Sequence, residues 1–138
     1  MDRLFEFIVN HYVLVSIFII LLIAFVINEG KQGGAAVGTS NLVAMVNRDN
    51  AVVLDIREAK EYKAGHIVDA INIPYLKIDD RMAELEKYKD QPIIIVCRMG
   101  THAGAVGRKL RAQGFENVHR LAGGMGEWSA ANLPVVKK

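Results

Sequence analysis

Cys97 is the one thiol in a chain of 138 residues, and its setting suggests a chemical role. It follows the uninterrupted apolar run 92–96 (PIIIV) and precedes a short loop containing Gly100. A thiol is a nucleophile only as its thiolate, which is favoured near cations, backbone N–H groups and helix N-termini. Arg98 is next to it in sequence. The N–H groups of a tight loop can converge as an anion-binding nest, and a following helix adds its positive end. Residues 98–102 (Arg98, Met99, Gly100, Thr101, His102) are therefore expected to cradle the group that reacts at Cys97. The bland alternative is a small buried hydrophobe, since free cysteines are among the most buried residues. The strand–Cys–Gly loop–helix context favours the reactive reading, because sites in open α/β sheets form at the carboxyl ends of strands.

A single cysteine allows no internal disulfide and no CxxC pair, which fits a reducing compartment. The four histidines, His11, His66, His102 and His119, show no zinc-ligand spacing, so no metal is expected. Net charge is +2 with cations and anions interspersed, so no nucleic-acid partner is indicated.

The elements that must position Cys97 alternate along the chain. Residues 39–41 (TSN) offer N-cap side chains to a helix carrying Leu42, Val43, Met45 and Val46. Residues 51–56 (AVVLDI) read as a buried strand, and 70–73 before Pro74 as another brief one. Residues 79–88 are expected to be helical, with Met82, Leu85 and Tyr88 on one side. The run 92–96 is the strongest strand, because continuous apolar strands suit a parallel sheet covered on both faces. A helix should run from about Thr101 or His102 to Gln113, ended by Gly114 at the position that favours glycine. Residues 118–121 form a last strand, and Gly123-Gly124 turns into a terminal helix packed by Trp128. Tyr62 and Tyr88 read as packing residues. Strands alternating with helices define an α/β domain with a mainly parallel sheet flanked by helices.

The hydrophobic share, 51%, is concentrated at the start of the chain. Residues 8–27 are almost wholly apolar, and twenty residues at about 1.5 Å each span about 30 Å, the hydrocarbon thickness of a bilayer. One transmembrane helix over 8–27 is expected, after a tail at 1–7 and before a flexible Gly/Ala-rich linker at 28–38. A cleaved signal peptide fits less well: Asp2 and Glu6 outweigh Arg3, and the nearest small-residue site (34–36) lies far beyond Ile27. A core helix would need more chain to cover it than the hundred residues that follow. Arg3 before the helix and Lys31 after it barely discriminate orientation.

Four segments of the domain resemble the successive signatures of the rhodanese family: LDIRE (54–58), GHIVDAINIP (65–74), IIIVCRMGTH (93–102) and LAGGMGEWSAANLPV (121–135). They occur in the family's order and cover essentially all of 39–138. The start of the chain resembles the anchor of membrane-tethered single-domain rhodaneses of bacteria. The resemblance implies a sulfurtransferase with a covalent Cys97 persulfide and no separate cofactor. Cys97 would attack the outer sulfur of thiosulfate or a persulfide donor, and the loop amides would hold the new persulfide until a thiol or protein acceptor takes it. The six-residue loop from Cys97 to His102 matches the sulfur-transferring members. The Cys-x5-Arg of related phosphatases is lacking, because the sixth residue after Cys97 is Ala103. Many active members carry Arg or Lys where this chain has His102; a solvent-facing residue at the helix start is the plainer reading of that histidine. The family also implies that Asp55 and Arg57 brace the loop and that His66 is a turn residue. A membrane-tethered interaction module with little turnover is the alternative function, since fold alone does not fix activity. Membrane lipid is expected to contact residues 8–27. The domain is expected on the cytoplasmic side of the inner membrane, where persulfide acceptors stay reduced.

Overall fold

The computed structural model describes residues 1–32 and 34–137, in two units, Met1–Lys31 and Gln32–Lys138. Gly33, part of the expected linker, and Lys138 lie outside the described residues.

The first unit is a bent pair of helices, α1 (Asp2–Asn10) and α2 (Tyr12–Gln32). This corrects the expectation of one transmembrane helix over 8–27, which is interrupted at His11. His11, at φ −125° and ψ 37°, leaves the helical region, and the axes turn by 91°. Asn10, His11 and Tyr12 are all mediocre helix formers, so the break falls where propensity is weakest. Hydrogen bonding resumes at once, the Val15 N–H donating to the His11 carbonyl at 2.9 Å. Among the described residues no single helix is long and apolar enough to cross a membrane; the bent pair meets that requirement by length and composition.

In the second unit the expected α/β architecture is present. A five-stranded parallel sheet has the order β1-β5-β4-β2-β3, with β1 at Ala35–Val37, β2 at Val52–Asp55, β3 at Ile71–Asn72, β4 at Ile93–Val96 and β5 at Val118–Leu121. β4 is fully buried, as a run of three isoleucines and a valine requires. Successive side chains of a strand point to opposite faces. Accordingly Ile93, Ile95 and Cys97 join one core with Val106 and Leu110 of α6 (Ala103–Ala112) and Ile78 of α5 (Ile78–Arg81). Ile94 and Val96 join the other with Leu42 of α3 (Thr39–Asp49) and Trp128 of α7 (Gly124–Ala130). The short α4 (Ala59–Ala64) follows β2.

Three local expectations are corrected. Residues 35–37 are not linker: they form β1, pairing Ala35 with His119 and Val37 with Leu121. Residues 79–88 are not one α-helix: α5 ends at Arg81, and Met82–Tyr88 is a 3₁₀-helix. Its apolar residues, Met82, Leu85 and Tyr88, recur every third position, which is the 3₁₀ repeat. The N-cap of α3 is Gly38, without a side-chain cap. The end of α6 is as expected: Gly114 (φ 97°) donates to Arg111 and Phe115 to Leu110, a Schellman closure.

Candidate active site

Pairing of β2 with β4 sets Asp55 opposite Val96, so the segments leaving the two strands start side by side. The Ile56 N–H donates to the Val96 carbonyl at 2.9 Å, which places Ile56 level with Cys97. Cys97 is a free thiol, 4% exposed, at the floor of a cavity of about 450 Å³. Arg98, Met99, Thr101 and His102 of the loop line this cavity; Gly100 does not.

The loop is held from behind by α7. The Met125 N–H donates to the Cys97 carbonyl at 2.8 Å and the Gly126 N–H to the Arg98 carbonyl at 3.0 Å. With those carbonyls committed to α7, the N–H groups of residues 98–102 find no acceptor among the described residues. Successive unpaired donors in a tight loop are the groups from which an anion-binding nest is built. Gly100, at φ 85°, turns the loop. Gly124, at φ 59°, is the residue that lets α7 approach: a β-carbon there would strike the Cys97 carbonyl and come within 2.9 Å of the Gly100 nitrogen. Sequence reasoning took Gly123-Gly124 as a turn only; the adjacent glycines before a helix were the available signal of close backbone contact.

No motif or spacing pointed to the opposite wall. Glu58 and Glu61 bring carboxylates, and Tyr75 and Leu76, after Pro74, bring an apolar face. Arg98 is largely exposed and lies 4.0 Å from Glu61, a separation that contributes little in solvent. His102 is exposed, yet it does not simply face water: its ring stacks on Tyr75 at 4.4 Å. Lys109 approaches the same tyrosine ring at 5.7 Å and bonds Asp79 at 3.0 Å. Leu76 and Met99, 79% and 66% exposed, are the two most exposed large apolar side chains of the domain unit, and both stand at this cavity.

Asp55 and Arg57 form a fork at the end of β2. Arg57 Nε and Nη2 donate to both carboxylate oxygens, the shortest contact being 2.7 Å, and Nη2 also donates to the Gly65 carbonyl at 2.8 Å. Asp55 is buried, so its charge is neutralised by this partner. Asn72 ties the same turn by donating to the Asp55 and Arg57 carbonyls at 3.0 Å. Only Arg57 of the pair touches the cavity. His66 does not reach it. Its Nδ1 donates to the Tyr62 carbonyl at 2.8 Å, and its ring stacks on Tyr62 at 3.7 Å. The Tyr62 hydroxyl donates to the Ala70 carbonyl at 2.6 Å, and burial first, then the Asp55 charge, raises its pKa. Among the described residues no group of three or more His, Cys, Asp or Glu side chains is placed to hold a metal ion.

Residues 39–131 match the Rhodanese-like domain family, and the chain belongs to it. The chain is 30% identical to the uncharacterized protein YibN of Escherichia coli, with 99% of each covered. It is 35% identical to the thiosulfate sulfurtransferase GlpE of Pseudoalteromonas translucida, covering 74% of this chain and 95% of that one. Among solved structures, the rhodanese-related protein of Thermoplasma volcanium superposes with a TM-score of 0.65 at 26% identity, over 76% of this chain and all of that one.

Proposed function

We propose that this protein is a sulfurtransferase working through a persulfide on Cys97. The observation that carries the reading is a thiol lining a cavity in a loop held by α7, with the Cys97 and Arg98 carbonyls engaged by that helix and the N–H groups of residues 98–102 left without acceptors among the described residues. The Cys97 thiolate attacks the outer sulfur of the donor. With thiosulfate, the S–S bond breaks and sulfite leaves with its electron pair. With a persulfide donor, the donor thiolate leaves. The anionic Cys97 persulfide sits against the loop amides until an acceptor thiolate takes the outer sulfur and frees Cys97. Two easier steps replace one, without an added oxidant or cofactor. Arg98 and the start of α6 add positive potential, while Glu58 and Glu61 oppose a crowded anionic donor. The relationship to a thiosulfate sulfurtransferase supports the same reading.

The finer reading is that the bent helical pair fixes this domain to the inner membrane, facing the cytoplasm, where acceptor thiols stay reduced. The apolar content of α2 and the combined length of α1 and α2 support attachment.

A second reading is a docking module of the same fold with little turnover. Leu76 and Met99 favour it, since exposed apolar side chains around a cavity suit a macromolecular partner. Turnover of thiosulfate to thiocyanate in the presence of cyanide separates the two. Catalytic formation of thiocyanate, lost in Cys97→Ser, supports the enzyme. No turnover with thiosulfate or with glutathione persulfide supports the module.

A further inference from the structure

α1 is built differently from α2. Its polar residues Asp2, Arg3, Glu6 and Asn10 fall within an arc of about 100° around the axis, at 3.6 residues per turn. Leu4, Phe5, Phe7, Ile8 and Val9 cover the rest, and none of α1 is buried. α2 has no such division. From Tyr12 to Ile27 it carries no charge, and its apolar side chains occur at every angle. Ser16, the polar side chain within it, satisfies itself by donating to the Tyr12 carbonyl at 2.7 Å. The cavity in the crook of the 91° bend is lined by Phe7 of α1 and by Leu14, Val15, Ile17, Phe18 and Leu21 of α2. Phe7, the α1 residue in that cavity, is apolar.

We propose that α1 lies flat in the lipid–water interface of a bilayer while α2 enters the hydrocarbon, the right-angle bend at His11 marking the headgroup level. This rests on the membrane attachment proposed above and goes beyond it by assigning the two helices different lipid depths. Lipid fits this surface better than a second copy of the chain. A helical dimer needs a seam of apolar positions with polar flanks, and α2, apolar all round, offers none. The charges of α1 fit the same placement. With Asp2 and Glu6 against Arg3, α1 carries no basic face and does not require anionic lipid, so burial of its apolar arc is what holds it. The sixteen residues from Tyr12 to Ile27 give about 24 Å, less than the roughly 30 Å hydrocarbon thickness. An α1 that lies in the interface rather than extending the span is consistent with a short or locally thinned crossing.

The test uses the full chain in phosphatidylcholine vesicles, with Cys97→Ser as background and a nitroxide on one introduced cysteine at a time: Arg3→Cys, Leu4→Cys, Glu6→Cys, Ile8→Cys and Ile20→Cys. Collision with oxygen, which partitions into lipid, is compared with collision with a water-soluble nickel chelate. The expected result is a deep label at Ile20. Within α1, the oxygen-over-chelate ratio at Leu4 and Ile8, the middle of the apolar arc, should exceed that at Arg3 and Glu6 several-fold. A steady gain in depth from residue 3 to residue 8 would overturn the proposal, because α1 would then extend the span. So would a deep Ile20 with every α1 label in water. Labels shielded from both reagents and broadened by spin–spin coupling would mean that a second copy covers the helices. A water-accessible Ile20 would instead show that membrane attachment itself fails, taking this inference with it.

Discussion

Replacing Gly124 by alanine tests whether α7 shapes the reactive loop. At φ 59° a β-carbon is strained, by about 1–2 kcal/mol for an L residue in the left-handed region. The same β-carbon would collide with the Cys97 carbonyl and lie 3.0 Å from the Arg98 carbonyl carbon, so α7 and the loop must part. Parting them endangers the Met125–Cys97 and Gly126–Arg98 hydrogen bonds, each with a net value of about 0.5–1.5 kcal/mol. Together these effects give a destabilisation of about 2–5 kcal/mol. The released loop should also slow persulfide formation by about tenfold or more, since small misplacements at a reacting centre are costly. The control is Gly104→Ala in α6, where a β-carbon meets nothing within 4 Å. It should keep the rate and gain up to about 0.5–1 kcal/mol, the helical advantage of alanine over glycine. Urea unfolding in detergent and stopped-time mass spectrometry read both quantities. Gly124→Ala with the stability and rate of the parent protein would refute the role given to this contact.

Arg57→Ala strands the buried Asp55 carboxylate and should cost about 3–5 kcal/mol by urea unfolding; a loss below about 1 kcal/mol would mean the fork is not a structural brace. For His119, burial first and Arg111 second lower the imidazole pKa below its ordinary value of about 6.5. Its contribution to stability is therefore full above that pH and is lost as pH falls below it, and His119→Gln should flatten the acid limb between pH about 6.5 and 5; an unchanged limb would assign it to other groups. A fragment starting at Gln32 keeps β1, whereas one starting at Gly38 loses the β1–β5 ladder and the bond from Ala122 to Val37. At about 0.5–1.5 kcal/mol net per hydrogen bond, the shorter fragment should unfold at distinctly lower urea, and equal midpoints would make β1 dispensable.

What was legible in the sequence is what depends on short-range pattern. The apolar run of β4 and the glycine that closes α6 locate Cys97 between a buried strand and a helix, and family resemblance supplied the Asp55–Arg57 pair. What was not legible depends on partners far along the chain or on direction. β1 is Ala-Ala-Val, weak as a strand signal, and exists because β5, more than eighty residues later, offers an open edge. Hydropathy measures the length of an apolar run but not a bend, so the turn at His11 went unseen. The acidic and apolar wall of Glu58, Glu61, Tyr75 and Leu76 is assembled from separate segments after β2 and β3, and no local spacing links those residues to Cys97. The clamp from α7 was hidden in backbone groups, which carry no residue signature beyond Gly124.

In the proposed mechanism Cys97 carries the transferred sulfur. The direct measurement is the intact mass of the full-length protein after incubation with thiosulfate, and separately with glutathione persulfide, before and after addition of an acceptor thiol. The expected result is a gain of one sulfur, about 32 Da, that maps to Cys97, disappears when the acceptor is added, and is absent in a folded Cys97→Ser variant. No gain with either donor, or an equal gain in Cys97→Ser, would contradict it.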